Sequence, residues 1–439
     1  MMKTDVHEML IDLDKKHFIH PTSSLKQQHE SGAPFIFSSG EGVYLTDTKG
    51  RKVLEGMSSL WNVNIGYGRK ELAEAAYEQM SKLAFTNSFS SMSNEPAIRL
   101  AAKLAELAPG NLNAVFFTSG GSESNDTAYK LARYYWKLKG LPDKKKIISQ
   151  KKGYHGVNIG ATSATGISPF HTLTNSPAPD FVHVDTFSID SLKACIEKEG
   201  ADNIAAFLTE PVQGAGGVNI APEGYLQEVR AICDEHNILL IADEVITGFG
   251  RTGKMFACEH YGVIPDLLLF AKGVTSGYIP LGGVMVTDAI HRELVERSDG
   301  TLLHGYTYSG HATACAVGLK NIEILERENL VENSRLMGEE LLNGFKELQM
   351  EFDFIGEVRA LGLIGAIEMV HPVTKQRFDS FIAPRVSEEA AKRGLIVRTV
   401  VFEGMDTIVF SPPLIINKQE VQELISIMRA ALAAVQEEL

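Results

Sequence analysis

The chain has 439 residues, 44% of them hydrophobic, with 39 Gly and a formal charge of −13 from 42 Lys+Arg against 55 Asp+Glu. This is the composition of a globular α/β protein with room for two or three subdomains, and it argues against a disordered chain. The acidic balance excludes nucleic acid and anionic membranes as main partners, and no run reaches the roughly 18 apolar residues of a membrane helix.

Taken in chain order, residues 1–32 read as a polar helical arm. Met1 to His20 has no apolar core, so no secretory signal is expected there. The alternation from Val43 to Leu54, turning at Asp47 to Gly50, predicts a hairpin. Seven short apolar runs follow, separated by helical patterns. They begin at Ala114, Lys146, Phe181, Ala206, Leu239, Leu267 and Gly283. Runs apolar on both faces that alternate with helices imply a mostly parallel sheet covered on both sides. In such sheets ligands bind beyond the carboxyl ends of the strands. After about residue 330 the pattern becomes helix, strand, helix. The last helix opens at Asn417, with Glu420 completing a capping box, and carries the stripe Val421, Leu424, Ile425, Met428, Leu432 and Val435. Cys195, Cys233, Cys258 and Cys315 show no C-x-x-C spacing, which points to reduced, buried thiols in a cytoplasmic protein.

Two strand ends carry chemistry. The run from Leu239 ends on Asp243, and the run from Leu267 leads to Lys272 in Ala-Lys-Gly. An amine and an acid at neighbouring strand ends suit pyridoxal phosphate. The amine bonds the aldehyde, and the acid keeps the pyridine nitrogen protonated. The strand from Ala114 runs into Thr118-Ser-Gly-Gly-Ser-Glu-Ser-Asn-Asp, where a helix N-terminus offers free amides to a phosphate. Gly153-Tyr-His-Gly holds an aromatic ring between two glycines, a turn or a ring stacked on a cofactor. Gly248-Phe-Gly-Arg-Thr-Gly-Lys-Met imitates two nucleotide motifs. Met255 offers no hydroxyl for magnesium, and Asp243 and Glu244 would repel a pyrophosphate, so these glycines are expected to serve a tight loop beside the site. The pair His17/His20 has Asp14 one turn earlier, but Lys15 and Lys16 beside it would repel a cation, and His304/His311 has no Cys, Asp or Glu between its members, so no metal is expected.

Together the segments Gly56-Met-Ser-Ser-Leu-Trp-Asn-Val-Asn-Ile-Gly-Tyr-Gly, Phe117-Thr-Ser-Gly-Gly-Ser-Glu-Ser-Asn-Asp-Thr, Gly153-Tyr-His-Gly, Glu210-Pro-Val-Gln-Gly, Ala242-Asp-Glu-Val-Ile-Thr-Gly-Phe-Gly-Arg-Thr-Gly, Ala271-Lys-Gly and His304-Gly-Tyr-Thr-Tyr-Ser-Gly-His stand in order along the chain. The chain thereby resembles the class III, fold-type I pyridoxal-phosphate aminotransferases over nearly its whole length. The resemblance implies a seven-stranded, mostly parallel large domain at 66–328. A small α+β domain would be built from both termini, with an arm and part of that domain at 1–65 and the rest at 329–439. It also implies Lys272 as the lysine bonded to the cofactor and Asp243 as the partner of the pyridine nitrogen. Gly121 and Ser122 would hold the phosphate, Tyr154 and Val245 would face the two sides of the ring, and Gln213 would lie near the ring hydroxyl. Thr307 would reach the phosphate bound by a neighbouring subunit, which makes the expected assembly a homodimer with shared active sites.

The same resemblance assigns Arg398 to the carboxylate of a keto-acid acceptor and Trp61 to a wall of the substrate pocket. The segments around Trp61 and Thr275-Ser-Gly-Tyr-Ile-Pro-Leu-Gly-Gly look most like pyruvate-dependent omega-transaminases, which take amines, β-alanine or taurine as donors. The alternative is the biotin-pathway adenosylmethionine-8-amino-7-oxononanoate aminotransferase. That group usually shows paired tryptophans where this chain has Leu60-Trp61, and a tyrosine after His-Pro where this chain has His20-Pro21-Thr22. An aminomutase or decarboxylating enzyme on the same cofactor frame would turn over without a keto acid. The loop from Thr399 to Thr407 is a few residues longer than the resemblance leads one to expect, and Glu403 within it is a candidate to favour donors with a distal positive charge.

Overall fold

A computed structural model describes residues 3–173 and 175–439. Its centre is a seven-stranded sheet with strands β1 Leu112–Thr118, β2 Lys146–Gln150, β3 Phe181–Val184, β4 Ile204–Thr209, β5 Leu239–Asp243, β6 Leu267–Phe270 and β7 Gly282–Thr287. Their spatial order is β1-β7-β6-β5-β4-β2-β3. All neighbours are parallel except β7, which runs antiparallel to both β6 and β1. Each of the seven apolar runs of the sequence supplies one of these strands.

The runs are apolar throughout because both faces of the sheet are covered. Ile147, Leu208 and Ile241 meet one hydrophobic cluster with Ala128, Leu131 and Trp136 of the helix Gly121–Leu138. Their sequence neighbours Ile148, Phe207 and Leu240 point the other way. They join Leu192 and Ile196 of the helix Ile189–Glu199, and Leu226 and Val229 of the helix Tyr225–Glu235. Alternation of period two is therefore present but hidden, since each face finds apolar partners.

The chain before and after this sheet forms smaller sheets. The strands Phe37–Glu41, Tyr44–Asp47 and Lys52–Glu55 are antiparallel, the last two being the predicted hairpin. The strand Leu395–Ile396 adds to Lys52–Glu55 in parallel, so early and late segments share one sheet. A second four-stranded sheet orders Ile355–Ala360, Gly365–Met369, Thr407–Phe410 and Arg398–Val400, all antiparallel. The helix Lys418–Gln436 closes this part of the molecule. Asn417 caps it by accepting from the Gln419 and Glu420 amides, Glu420 returns the bond, and all six residues of its apolar stripe are buried. The N-terminal arm is two helices, Lys3–His17 and Leu25–Ser31. Among the described residues no helix is long and apolar enough to cross a membrane.

Candidate active site

The carboxyl ends of β1, β2, β4, β5 and β6 converge on one cavity of about 110 Å3. β5 ends on Asp243 itself, and Glu210 follows β4 directly. Lys272 stands two residues beyond β6, with a left-handed φ of 49°. A side-chain-bearing residue held in that region costs on the order of 1 kcal/mol and persists only where packing imposes it.

Asp243 is 4% exposed and fully engaged on one side. Its Oδ2 accepts from Asn125 Nδ2 at 2.9 Å and from His155 Nδ1 at 2.8 Å, while Oδ1 accepts from the Val245 amide at 3.1 Å. Asn125 is oriented by Tyr129, whose hydroxyl donates to its Oδ1 at 2.9 Å. The His155 backbone amide donates to Thr165 Oγ1 at 2.9 Å, which fixes the loop that carries the ring. The carboxylate is thus rigidly aimed, as a buried charge must be if it is to persist.

The Lys272 amine lines the same cavity, and the residue is half-buried. Burial pushes its pKa below the usual lysine value. The charges of Asp243 and Glu210 pull it back up, and Arg398 pushes it further down. Among the described residues no hydrogen bond offsets that burial. Glu210 is pushed up to about 7 by burial, opposed by His155 and helped by the Asp243 charge. Its two oxygens accept from the Tyr154 amide at 2.9 Å and the Gly214 amide at 3.1 Å, so it ties two site loops together.

The rest of the lining supplies an anion cradle and two flat walls. Gly121 and Ser122 begin the 18-residue helix, where unpaired amides and the helix dipole favour negative charge. A Cβ on Gly121 would sit 3.0 Å from Val245 Cγ1, and one on Gly156 would overlap Ser122 Oγ, so these glycines keep the cradle open. Tyr154 and Val245 both line the cavity.

The structure brings Lys272, Asp243, Gly121, Ser122, Tyr154 and Val245 together around this cavity. Five other residues singled out from the sequence lie outside its lining. Gln213 is buried, with its amide nitrogen donating to Lys151 O at 3.0 Å and its oxygen accepting from Asn219 at 3.1 Å. Thr307 is exposed in the segment between His304 and the helix Ala312–Arg327. Trp61 is buried, with an indole N–H that has no partner among the described residues, and the Arg398 guanidinium lies 5.3 Å from its ring centroid. Burial lowers the Arg398 pKa while Tyr154 raises it, and no carboxylate among the described residues pairs with this arginine. Glu403 is exposed, and its carboxylate accepts from Ser168.

Asn125 and Glu210 are site residues that the sequence reading left without a role. Both carried a signal: Asn125 lies one helical turn after Gly121, and Glu210 follows a strand's carboxyl end.

Comparison with known proteins places this geometry in a family. The model of the class-III aminotransferases matches residues 26–432. A putrescine–pyruvate aminotransferase of Pseudomonas aeruginosa is 40% identical over 439 aligned residues, covering 96% of this chain and 95% of that protein. Among solved structures, a transaminase from the marine bacterium Virgibacillus is 53% identical, with a TM-score of 0.97 over 98% of this chain and 99% of its own. A thermostable (S)-enantioselective omega-transaminase from Thermomicrobium roseum is 44% identical, with a TM-score of 0.92 over 98% of each chain. The chain belongs to the class-III aminotransferases, enzymes that move an amino group from an amine to a keto acid.

Proposed function

We propose that the protein uses pyridoxal 5'-phosphate to transfer the amino group of an amine or omega-amino acid to pyruvate, in two half-reactions at one site. The observation that carries this reading is the convergence of the Lys272 amine and the Asp243 carboxylate on one buried cavity.

The residues present fit the cofactor. Gly121 and Ser122 would hold its phosphate at the helix N-terminus, Tyr154 and Val245 would flank the ring, and Asp243 would meet the ring nitrogen. Bound there, the cofactor supplies an electron sink that acidifies the C–H bond beside the substrate nitrogen. The chain's residues do the rest. Asn125, His155 and the Val245 amide hold the Asp243 carboxylate, so it keeps a proton on its partner nitrogen. Lys272, freed by the donor amine, would take a proton from the donor carbon as base and pass it as acid to the cofactor carbon on the other side of the donor nitrogen. Its lowered pKa favours the neutral amine that this role needs. Arg398 would bind the acceptor carboxylate, and the absence of a carboxylate partner among the described residues supports that reading. Trp61 would wall the substrate pocket. Gln213, with both ends of its amide engaged, would act on the ring hydroxyl only through its backbone or after release from Asn219.

The proposal extends to assembly and place. The active unit is a homodimer in which Thr307 of a second copy completes the phosphate site, and its exposure here is consistent with that contact. The domain division is 1–65 with 329–439 against 66–328, supported by the pairing of Leu395–Ile396 with Lys52–Glu55. The cytoplasm is the proposed compartment, which suits four unpaired, buried cysteines. The acceptor is taken as pyruvate because the Pseudomonas aeruginosa relative is named for it.

The test is alanine formation from pyruvate with putrescine, β-alanine, taurine, 1-phenylethylamine or S-adenosylmethionine as donor, in the presence of pyridoxal phosphate. Alanine from putrescine, β-alanine, taurine or 1-phenylethylamine supports the proposal. No alanine from any of them refutes it, and turnover confined to S-adenosylmethionine with another keto acid moves the protein to the biotin-pathway group.

A further inference from the structure

A second set of side chains stands just outside the cavity and has no part in holding the cofactor. Phe170 lies edge-on to Tyr154, with ring centroids 5.2 Å apart. Phe402 lies edge-on to Phe170 at 6.0 Å. On its other side Phe402 packs against the hydrophobic cluster that contains Trp61 and Ile246, and Ile246 lines the cavity. The rings therefore run from Tyr154 through Phe170 and Phe402 to the hydrophobic cluster that holds Trp61, whose ring faces the Arg398 guanidinium.

Phe170 and Phe402 join two separate pieces of chain, the turn Ser168–His171 and the loop after the strand Arg398–Val400. Glu403 fastens them. Its Oε1 accepts from the Ser168 amide at 2.9 Å and from Ser168 Oγ at 2.5 Å. These bonds hold the Glu403 pKa below the usual carboxylate range, with Lys152 and His171 adding to the effect. Glu403 has a left-handed φ of 50° and Gly404 follows at 79°. A glutamate in that conformation costs on the order of 1 kcal/mol, so the loop needs an outside partner to keep its shape. Ser168 is that partner.

We propose that Phe170, Phe402 and Glu403 are specificity-determining residues, in which the Glu403–Ser168 clasp holds Phe402 against Phe170 and so limits the bulk of the amine donor. The proposal rests on the aminotransferase reading above. It makes Glu403 a hydrogen-bond acceptor that positions Phe402, in place of a docking point for a cationic donor tail.

The experiment compares the wild-type holoenzyme with Phe402→Ala, Glu403→Ala and Glu403→Gln. kcat/KM is measured for β-alanine, putrescine and the bulky 1-phenylethylamine with pyruvate, and loop cleavage is followed by limited thermolysin digestion. Phe402→Ala and Glu403→Ala should raise the ratio of bulky to small donor about tenfold, the scale on which pocket volume discriminates substrates. Glu403→Ala should speed cleavage within 399–407. Glu403→Gln keeps an acceptor for Ser168 and should stay within about twofold of wild type in both readouts. An unchanged donor ratio in Phe402→Ala and Glu403→Ala overturns the proposal. So does a loss of putrescine turnover in Glu403→Gln equal to that in Glu403→Ala, which would make the charge the operative feature. A wild-type protein that accepts none of the donors refutes the aminotransferase reading instead, and the digestion still decides whether the clasp exists.

Discussion

His155 Nδ1 donates to Asp243 Oδ2 at 2.8 Å, joining a loop after β2 to the last residue of β5. The same oxygen accepts from Asn125, so two side chains from distant parts of the chain aim one carboxylate. Removing one of them should loosen the acid without removing it. Asn125→Ala is expected to lower kcat by about 10- to 100-fold, the usual scale for groups that orient a functional side chain. Asp243→Asn should cost more, with the fold retained by circular dichroism. Equal activity of Asn125→Ala and wild type would show that Asp243 does not need this partner.

Gly156 is the close-approach position of the cradle. Its φ is 112°, and a Cβ there would overlap Ser122 Oγ, which accepts from the Val157 amide at 3.1 Å. Gly156→Ala is expected to displace Ser122 and weaken retention of pyridoxal phosphate by at least about tenfold, the equivalent of roughly 1.4 kcal/mol. Equilibrium titration with the cofactor measures it.

Glu210 gives the apoprotein a pH-dependent term. Its folded pKa of about 7 lies above the ordinary 4.5, because burial penalises the charged form. Between these values the folded state holds a proton that the unfolded chain has lost. The stabilisation is fully present below about 4.5 and is lost as pH rises through about 7. Glu210→Gln should leave the Gly214 amide without its acceptor and lower stability overall, by about 1–3 kcal/mol. Its melting temperature should nonetheless fall less between pH 4.5 and 7 than that of wild type. Parallel melting curves across that window would contradict the assignment.

Arg398 has an aromatic ring beneath it and, among the described residues, no carboxylate opposite. Arg398→Leu should raise the KM for pyruvate by about 10- to 100-fold, as loss of a charge-assisted pair of roughly 1.5–3 kcal/mol implies. The first half-reaction with an uncharged amine donor should change far less. Single-turnover measurements with the donor alone separate the two.

The fold was legible because its strongest signals are local. Each apolar run needed only its own sequence to announce a strand, the edge strands β1 and β3 being the less buried ones, and β5 and β6 delivered Asp243 and Lys272 to the expected edge. The loop 248–254 was also legible as structure. Gly250 and Gly253 have φ of 91° and 84°, and between them buried Arg251 donates to the Leu363 and Pro412 carbonyls, Ser58 Oγ and Asn64 Oδ1. What sequence could not supply was pairing across long separations. Asn125 meets Asp243 from 118 residues away, and Glu403 meets Ser168 from 235. Composition and periodicity are silent about such partners. Hence Gln213 could be expected at the ring while its amide is engaged by Lys151 and Asn219, and Glu403 could be expected to wait for a cation while Ser168 occupies it.

The central claim is that Lys272 is the amine that holds the cofactor and moves the proton. Borohydride reduction of the protein loaded with pyridoxal phosphate, followed by peptide mass analysis, tests it directly. The account expects the phosphopyridoxyl label on Lys272 alone, with labelling suppressed by prior incubation with an amine donor. A label on another lysine, or none at all, would contradict it.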